Sequence, residues 1–339
     1  MLSREIKIGS LKLGGVNPVR IQGMLKSPID DYRALFEEGR QMIDAGAELI
    51  RCAVPTEEAA EKLYGKLREL SVPLIADCHF KGKIAEKALM AGFDKIRINP
   101  GNIKENSILE AVELAGKEGK ALRLGFNTGS CKAENAIDLA RLGLRWDKKI
   151  RDTGFKNFAV SMKSSSVKKT VEANRYFSMH SDSPLHIGIT ATGPRDEGIV
   201  KSSAGLGTLL LDEIGDTVRV SLTGSSIKEI ELAVSLRDIA SDRITKPTII
   251  SCPTCSRCRA DIEEMVEKVS QKIKEIDFNK PVKIAIMGCE VNGPGEAKSA
   301  DIGICGTEKG GLIIKKGKIM GNVNSEEMLS RLIEELKKL

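Results

Sequence analysis

Three observations predict a TIM-type (β/α)8 barrel followed by a small α/β domain. Eight short apolar runs alternate with helix-like stretches or loops over the first two-thirds of the chain. Each run carries a polar or charged residue near its C-terminal end, and a cysteine-rich segment follows the last one. The runs are Val19–Gly23, Leu49–Val54, Pro73–Cys78, Lys95–Asn99, Leu122–Asn127, Phe158–Lys163, Leu185–Thr190 and Thr217–Leu222. Strands that alternate with helical patterns indicate parallel βαβ units, and eight such units close into a barrel.

The later runs carry polar residues in pairs that share one face of the predicted strand. The pairs are Arg97 with Asn99, Arg123 with Asn127, Ser161 with Lys163, His186 with Thr190, and Arg219 with Ser221. Strand side chains alternate with period two, so we expect each pair to face the barrel interior near its mouth. Arg51 on the second run and Asp77 with His79 at the end of the third fit the same scheme.

These charged strand residues predict an anionic ligand. A single cation at a strand end is equally well explained as a side chain that extends to solvent. Several cations that converge at the C-terminal face, where such barrels place their active sites, are better explained by a bound phosphate or diphosphate. Glycine-bearing segments at 100–102, 127–130 and 203–207 would let backbone amides approach the anion, although each alone is more typical of a turn.

Length and composition indicate the domain organisation and exclude some partners. The 339 residues suit a barrel domain at 1–243 and a smaller domain at 244–339, with a closing helix at 225–239 and a polar linker at 240–246. Aromatic residues make up only 4% and the net charge of +6 is dispersed, which disfavours nucleic-acid binding. The first fifteen residues lack the apolar run of a secretory signal, and no stretch approaches the roughly 18 apolar residues of a membrane helix. We therefore expect a cytoplasmic protein without nucleic-acid or membrane partners.

The eight cysteines predict metal or redox chemistry, because disulfides are rare in a reducing cytosol. Cys52 and Cys78 lie in predicted strands and are read as small core residues. The tail cysteines, Cys252, Cys255, Cys258 and Cys289, have the soft ligands and the Cys-x-x-Cys spacing of a zinc site or an iron-sulfur cluster. No second close pair follows Cys289, which argues against structural zinc, but spacing alone does not decide which cysteines are ligands.

The rest of the tail reads as a small α/β unit. An apolar stripe at Ile262, Met265, Val266, Val269 and Ile273 predicts a helix. A buried-type strand at Val282–Met287 ends at Gly288-Cys289, strands follow at Asp301–Cys305 and Gly311–Ile314, and an amphipathic helix covers Ser325–Leu336.

Two tail motifs closely resemble the 4-hydroxy-3-methylbut-2-enyl diphosphate synthase family of the non-mevalonate isoprenoid pathway. They are Ser251-Cys-Pro-Thr-Cys-Ser-Arg257 and Gly288-Cys-Glu-Val-Asn-Gly-Pro-Gly-Glu296. The barrel agrees, with Arg51 in Ile-Arg-x-x-Val-Pro, Asp77 and His79 in Ala-Asp-Cys-His-Phe, Arg97 in Arg-Ile-Asn-Pro-Gly-Asn, Lys201 in Lys-Ser-Ser, and Arg219 in Gly-Asp-Thr-Val-Arg-Val-Ser-Leu. The resemblance covers nearly the whole chain.

The resemblance implies a specific activity and site. Cys252, Cys255 and Cys289 would hold a 4Fe-4S cluster with Glu296 on the fourth iron, which leaves Cys258 as an extra thiol. The substrate would be 2-C-methyl-D-erythritol 2,4-cyclodiphosphate, opened and dehydrated with two electrons from a flavodoxin or ferredoxin. Catalytic roles are expected for Glu296, Asp77 and His79, and substrate contacts for Arg51, Arg97, Arg123, Asn127, Lys163, Thr190, Lys201, Arg219 and Ser221. The family also implies a homodimer in which one subunit's cluster closes over the other's barrel.

The chain departs from the family at the predicted mouth. Ala191 stands where a Glu is usual, Ser166 where an Asp is usual, and Gly23-Met24-Leu25 replaces Ser-Met-Thr. The segment after Ser130 is also shorter than is common in the family, with Cys131-Lys132 in place of Leu-Glu. These changes leave two alternatives open: a divergent paralogue that reduces another phosphorylated substrate, or a non-catalytic protein that binds a metal cluster.

Overall fold

The structure, a computed structural model, describes residues 2–78, 82–243 and 245–339. The chain divides into two compact units, Met1–Ser241 and Asp242–Leu339, and each is described by itself. The sequence-based boundary lay between residues 243 and 244.

The first unit is an eight-stranded parallel barrel preceded by a short hairpin. The hairpin pairs β1 (Ile6–Ile8) with β2 (Leu11–Leu13) in antiparallel register. The barrel strands are β3 (Arg20–Met24), β4 (Leu49–Val54), β5 (Leu74–Cys78), β6 (Lys95–Ile98), β7 (Ala121–Asn127), β8 (Phe158–Lys163), β9 (His186–Ile187) and β10 (Thr217–Val218). Their order is β8-β7-β6-β5-β4-β3-β10-β9, and a parallel bridge between Val160 and Leu185 closes the ring. The predicted barrel is confirmed.

A helix follows each barrel strand. The helices are α1 (Tyr32–Asp44), α2 (Glu57–Leu67), α3 (Gly82–Ala91), α4 (Glu105–Lys117), α5 (Ala136–Asp152), α6 (Val167–His180), α7 (Arg195–Leu211) and α8 (Ser226–Ala240). Side chains such as Thr56 and Asn135 accept hydrogen bonds from backbone amides in the first turns, which satisfies donors that have no partner within the helix.

Strand alternation separates two faces of the barrel wall. On β7, Leu122, Leu124 and Phe126 pack outward into the core under the helices, so Arg123 and Asn127 face inward. The inward residues at the strand starts are apolar, and they pack with the hairpin into a cluster of Ile6, Ile8, Leu13, Leu49, Ile75, Ala121 and Ala159. This apolar floor closes the end of the barrel opposite the mouth.

The second unit is a five-stranded mixed sheet in the order β11-β12-β13-β14-β15. Its strands are β11 (Thr248–Ser251), β12 (Lys283–Met287), β13 (Ile302–Thr307), β14 (Gly310–Lys315) and β15 (Lys318–Val323), and its helices are α9 (Ile262–Lys272), the single turn α10 (Gly293–Glu296) and α11 (Met328–Leu336). The first three strands are parallel and the last two antiparallel. One face of the sheet packs against α9 and α11 through Met265, Val269 and Leu332.

Several predicted boundaries are wrong. The seventh and eighth strands end at Ile187 and Val218 rather than at Thr190 and Leu222. After β9 the chain leaves the ladder, and Ala191 and Gly193 take φ angles of 51° and 92°. The β1–β2 hairpin and β15 were not predicted from the sequence. The residues of β15 are mostly exposed. Within the described residues, no helix combines the length and the apolar character that a membrane crossing requires.

Candidate active site

Cations from different strands meet inside the barrel around one carboxylate. Asp77 on β5 lies 3.4 Å from a guanidinium nitrogen of Arg97 on β6 and 3.7 Å from one of Arg51 on β4. The Nε–H of Arg51 also points to the sulfur of Met24 at 2.9 Å. The single carboxylate neutralises only part of the positive charge of the two guanidinium groups, so an excess of positive charge remains.

Arg123, Lys163 and Arg219 add further positive charge to the barrel interior. Arg123 on β7 is buried, and its Nε and Nη1 have no hydrogen-bond partner among the described residues. Burial, reinforced by Arg51 and Arg97, holds the pKa of Arg123 well below its ordinary value, and burial with Arg123 does the same to the pKa of Lys163. Burial and Arg51 lower the pKa of Arg219 to about 10. A bound anion would stabilise buried cations that repel one another, so the charge of this interior suits an anionic ligand.

Two glycines make room for these side chains. A Cβ on Gly125 would lie 2.7 Å from the Nε of Arg97. A Cβ on Gly188 would overlap the Nζ of Lys163 and lie 2.7 Å from the carbonyl oxygen of Arg219. Glycine at these positions therefore lets the backbone approach the cations closely.

The remaining predicted contact residues lie at the end of β7 (Asn127) and on the loops above the strands (Thr190 and Ser221). The carbonyl of Asn127 accepts the amides of Ser130 and Cys131, and the amide of Thr190 donates to the carbonyl of Ser164. The carbonyl of Ser221 accepts the hydroxyl of Thr192 at 2.5 Å. These backbone bonds fix the loops while leaving the Asn127, Thr190 and Ser221 side chains half-buried.

The predicted site residue Lys201 has an acidic partner on its own helix. Lys201 lies on α7, where its ammonium pairs with Glu197 at 2.6 Å. His79 lies outside the described residues, so its position is not part of this geometry.

The interior also holds polar residues that the predicted site did not include. Lys95, Gln22 and Thr217 are buried, and their polar side-chain atoms have no hydrogen-bond partner among the described residues. The same is true of both ring nitrogens of His186. The Lys95-x-Arg97-x-Asn99 spacing was a signal for the first of these, because all three positions share the inward face.

In the second unit, the cysteine motifs line one cavity of about 420 Å³. It is bordered by Cys252, Cys255, Cys258, Cys289 and Glu296 together with the glycines and polar residues of the two motifs. The cavity lies at the carboxyl ends of β11 and β12, because Cys252 follows β11 and Cys289 follows β12 by two residues. Sequence-distant thiols thus meet at one edge of the parallel sheet.

The backbone around this cavity favours sulfur ligands. The amide of Gly288 donates to the sulfur of Cys252 at 3.1 Å, and a Cβ on Gly288 would overlap the sulfur of Cys258. Backbone amides of Asn292, Val291 and Gly293 lower the pKa of Cys289, which favours its thiolate.

The thiols and the Glu296 carboxylate surround one volume. Within ranges 2–78, 82–243 and 245–339, no group of three His, Cys, Asp or Glu side chains is arranged to hold a single metal ion. In a cubane each iron takes its own protein ligand, so ligands that surround a volume are the arrangement required.

The other thiols differ in their surroundings. Cys258 is half-buried at the cavity and its thiol donates to the carbonyl of Ala260 at 3.1 Å. Cys305 is buried under α10, where burial raises its pKa to about 12. Cys52 and Cys78 are buried in the barrel core, as expected, and burial raises the pKa of Cys52 to about 12.

The fold and the two sites define a class: a (β/α)8 barrel with a cation-lined interior, joined to an α/β unit with a thiol-lined cavity. Two family models match the chain, the GcpE TIM-barrel domain over residues 3–234 and the GcpE protein C-terminal domain over residues 248–338. The chain belongs to the GcpE family, which confirms the resemblance found in the sequence.

Relatives in this family match along almost their whole length. A protein of Thermodesulfovibrio yellowstonii named 4-hydroxy-3-methylbut-2-en-1-yl diphosphate synthase (flavodoxin) is 42% identical, covering 99% of this chain and 98% of its own. A protein of Aquifex aeolicus with the same name is 39% identical, covering 99% and 96%.

Solved structures of low sequence identity share the fold over most of the chain. Dihydropteroate synthase of Yersinia pestis has a TM-score of 0.53 at 18% identity, covering 70% of this chain and 97% of its own. N-acetylneuraminic acid synthetase of Leptospira borgpetersenii has a TM-score of 0.51 at 13% identity, covering 80% and 97%. At identities this low, the TM-scores show a common fold and no more.

Proposed function

We propose that this protein reduces 2-C-methyl-D-erythritol 2,4-cyclodiphosphate to 4-hydroxy-3-methylbut-2-enyl diphosphate. The observation that carries the proposal is the pairing, within one GcpE-family chain, of a cation-lined barrel interior with a thiol-lined cavity. The overall step consumes two electrons and one proton. A ring carbon–oxygen bond breaks and the diphosphate keeps the electron pair, the hydroxyl on the adjacent carbon leaves as water, and the two supplied electrons form the double bond between these carbons. Reduced flavodoxin or ferredoxin is the proposed electron donor.

The barrel residues bind and stabilise the diphosphate in this proposal. Arg97, Arg123 and Arg219 present fixed donors, so the charge that develops on the leaving phosphate meets cations already in place. Asp77 holds Arg51 and Arg97 in orientation through its two ion pairs. Asn127, Thr190 and Ser221 are the proposed hydrogen-bond donors at the mouth.

The cavity residues hold the proposed 4Fe-4S cluster. Cys252, Cys255 and Cys289 are the proposed thiolate ligands, and Glu296 is the proposed fourth ligand because a carboxylate is harder and more easily displaced from iron than a thiolate. A bound cluster would supply single electrons and a Lewis-acid iron. We also propose a homodimer in which the cluster unit of one subunit serves the barrel of the other.

Iron content and turnover test the proposal. Anaerobically reconstituted protein is expected to be brown, to contain about four irons per chain, and to convert the cyclodiphosphate with a chemical reductant. Cys289→Ser should lose most of the iron, whereas Cys305→Ala, which removes a thiol outside the cavity lining, should retain it. Cys258→Ser should also retain iron if Glu296 is the fourth ligand.

The outcomes separate the alternatives. A colourless zinc protein would rule out the reductase and any redox paralogue. A brown protein that leaves the cyclodiphosphate unchanged would indicate a different phosphorylated substrate. A loss of iron in Cys258→Ser would show that this thiol, and not the carboxylate, completes the ligand set.

A further inference from the structure

Among the residues that the structure describes, no acidic side chain pairs with a lysine that lies beneath the proposed anion site. Lys95 begins β6, two residues before Arg97, and its side chain is fully buried. Its Nζ has no hydrogen-bond partner among the described residues. In register it pairs with Ile75 and Ala121, which belong to the apolar floor of the barrel. Lys95 therefore lies between that floor and the cations above it.

The titratable groups around Lys95 are mostly basic. Those on the barrel strands are Arg51, Asp77, Arg97, Arg123, Lys163 and His186; Arg219 directly follows β10, and α8 adds the buried Glu229. Asp77 already faces Arg51 and Arg97, and Glu229 pairs with Lys26 at 2.9 Å. An ammonium at Lys95 would thus be desolvated among like charges, which favours the neutral amine.

The titration of the interior agrees with this geometry. Burial, with Arg123 and then Arg51, holds the pKa of Lys95 well below its ordinary value. Burial, with Arg123 and then Lys163, holds the pKa of His186 well below its ordinary value. In both groups, burial and the neighbouring cations therefore favour the neutral form over the charged form.

We propose that Lys95 is a charge-compensating residue, neutral in the free protein, which takes up a proton from solvent when a diphosphate binds among the arginines. The inference rests on the proposed function. A bound anion supplies the opposite charge that the interior lacks, so it stabilises the ammonium relative to the amine. The proton adds to the lone pair of Nζ, and no bond in the ligand changes.

An ammonium formed at Lys95 on binding would also favour the charge change of the proposed reaction. The cyclic substrate carries two negative charges on its diphosphate, and ring opening leaves the linear diphosphate with a third. An ammonium at Lys95 adds positive charge beneath the site as that negative charge grows. Lys95 would act through the electrostatic field, not through contact with the reacting atoms.

Calorimetry with sulfate tests the inference on the full, anaerobically cluster-loaded chain. Sulfate does not change its charge near neutral pH, so any proton taken up on binding enters the protein. Titrations in buffers of different ionisation enthalpy count these protons. Wild type is expected to take up as much as one proton per sulfate. Lys95→Met, which is close to isosteric and uncharged, should lose more than half of that uptake.

Two further variants make the result specific. Lys168→Met replaces a lysine whose side chain is 85% exposed and should match wild type. Uptake that disappears in His186→Asn but persists in Lys95→Met would overturn the assignment to Lys95. If Lys95→Met fails to fold, wild-type sulfate affinity should still rise as the pH falls through neutrality, and a pH-independent affinity would overturn the inference.

The test also separates this inference from the proposed function. Wild type that binds no sulfate and no pyrophosphate would overturn the anion site itself, and the inference with it. Sulfate binding without proton uptake would leave the anion site standing and overturn the inference alone.

Discussion

At the scale of single residues, the barrel interior depends on positions that have no side chain. Arg97 and Lys163 reach into the barrel only because Gly125 and Gly188 leave space on neighbouring strands. The sequence showed the cations, since period-two spacing exposes them, but it did not show which glycines they need. That information lies in distances between residues far apart in sequence.

The substitution Gly188→Ala tests this dependence. The new Cβ would overlap the Nζ of Lys163 and lie 2.7 Å from a backbone oxygen, so Lys163 must leave its position. We expect pyrophosphate affinity, measured by calorimetry, to fall about tenfold, which corresponds to the loss of one charge-assisted interaction of about 1.4 kcal/mol.

Gly207→Ala on α7 is the matched control. A Cβ there meets nothing within 4 Å. Alanine in a helix interior should stabilise the protein by roughly 0.5–1 kcal/mol and leave pyrophosphate affinity unchanged. Equal pyrophosphate affinity in Gly188→Ala and Gly207→Ala would refute the proposed crowding.

At the scale of secondary-structure elements, periodicity predicted long elements well and short ones poorly. The strands β4 and β8 begin and end where the sequence predicts, because each is a mostly apolar run of six residues. The strands β9 and β10 have only two residues each, and the chain beyond β9 turns through positive φ angles at Ala191 and Gly193. The local amino-acid composition does not show where the hydrogen bonding between two neighbouring strands ends.

The β1–β2 hairpin is the clearest omission. The sequence of this segment shows only that it lacks the apolar run of a secretory signal. In the structure, Ile6, Ile8 and Leu13 close the barrel floor. Three-residue strands carry too little periodicity to be recognised, and the floor they cover is formed by strands that are distant in sequence.

The hairpin supports a stability prediction. Ile8 is 1% exposed within the floor cluster, so Ile8→Ala should lower the free energy of unfolding by about 2–4 kcal/mol. Pyrophosphate affinity at 25 °C should be unchanged, because the floor lies opposite the mouth. Lys7→Ala, an exposed neighbour, is the control for denaturant unfolding. A tenfold loss of affinity without loss of stability would contradict the assignment of this hairpin to the floor.

At the scale of the whole molecule, the proposed reaction needs two sites that belong to separate compact units. The barrel supplies the anion-binding cations and the second unit supplies the thiols. Motifs predicted both sites because cysteine spacing and strand cations are local features. The sequence does not show whether a cluster unit acts on the barrel of its own subunit or on that of the partner subunit. The proposed homodimer therefore needs a functional test.

Mixing two inactive variants provides that test. Arg123→Met removes a buried cation of the barrel, and Cys289→Ser removes a cavity thiol; each alone should abolish turnover of the cyclodiphosphate. If each active site combines the barrel of one subunit with the cluster of its partner, a mixed dimer contains one intact pair. Random exchange of subunits should then restore about a quarter of wild-type activity per chain. If barrel and cluster of the same chain work together, every site in the mixture carries a defect, and activity should stay at the level of the separate variants. Mixing Arg123→Met with itself under the same exchange conditions controls for activation by the procedure.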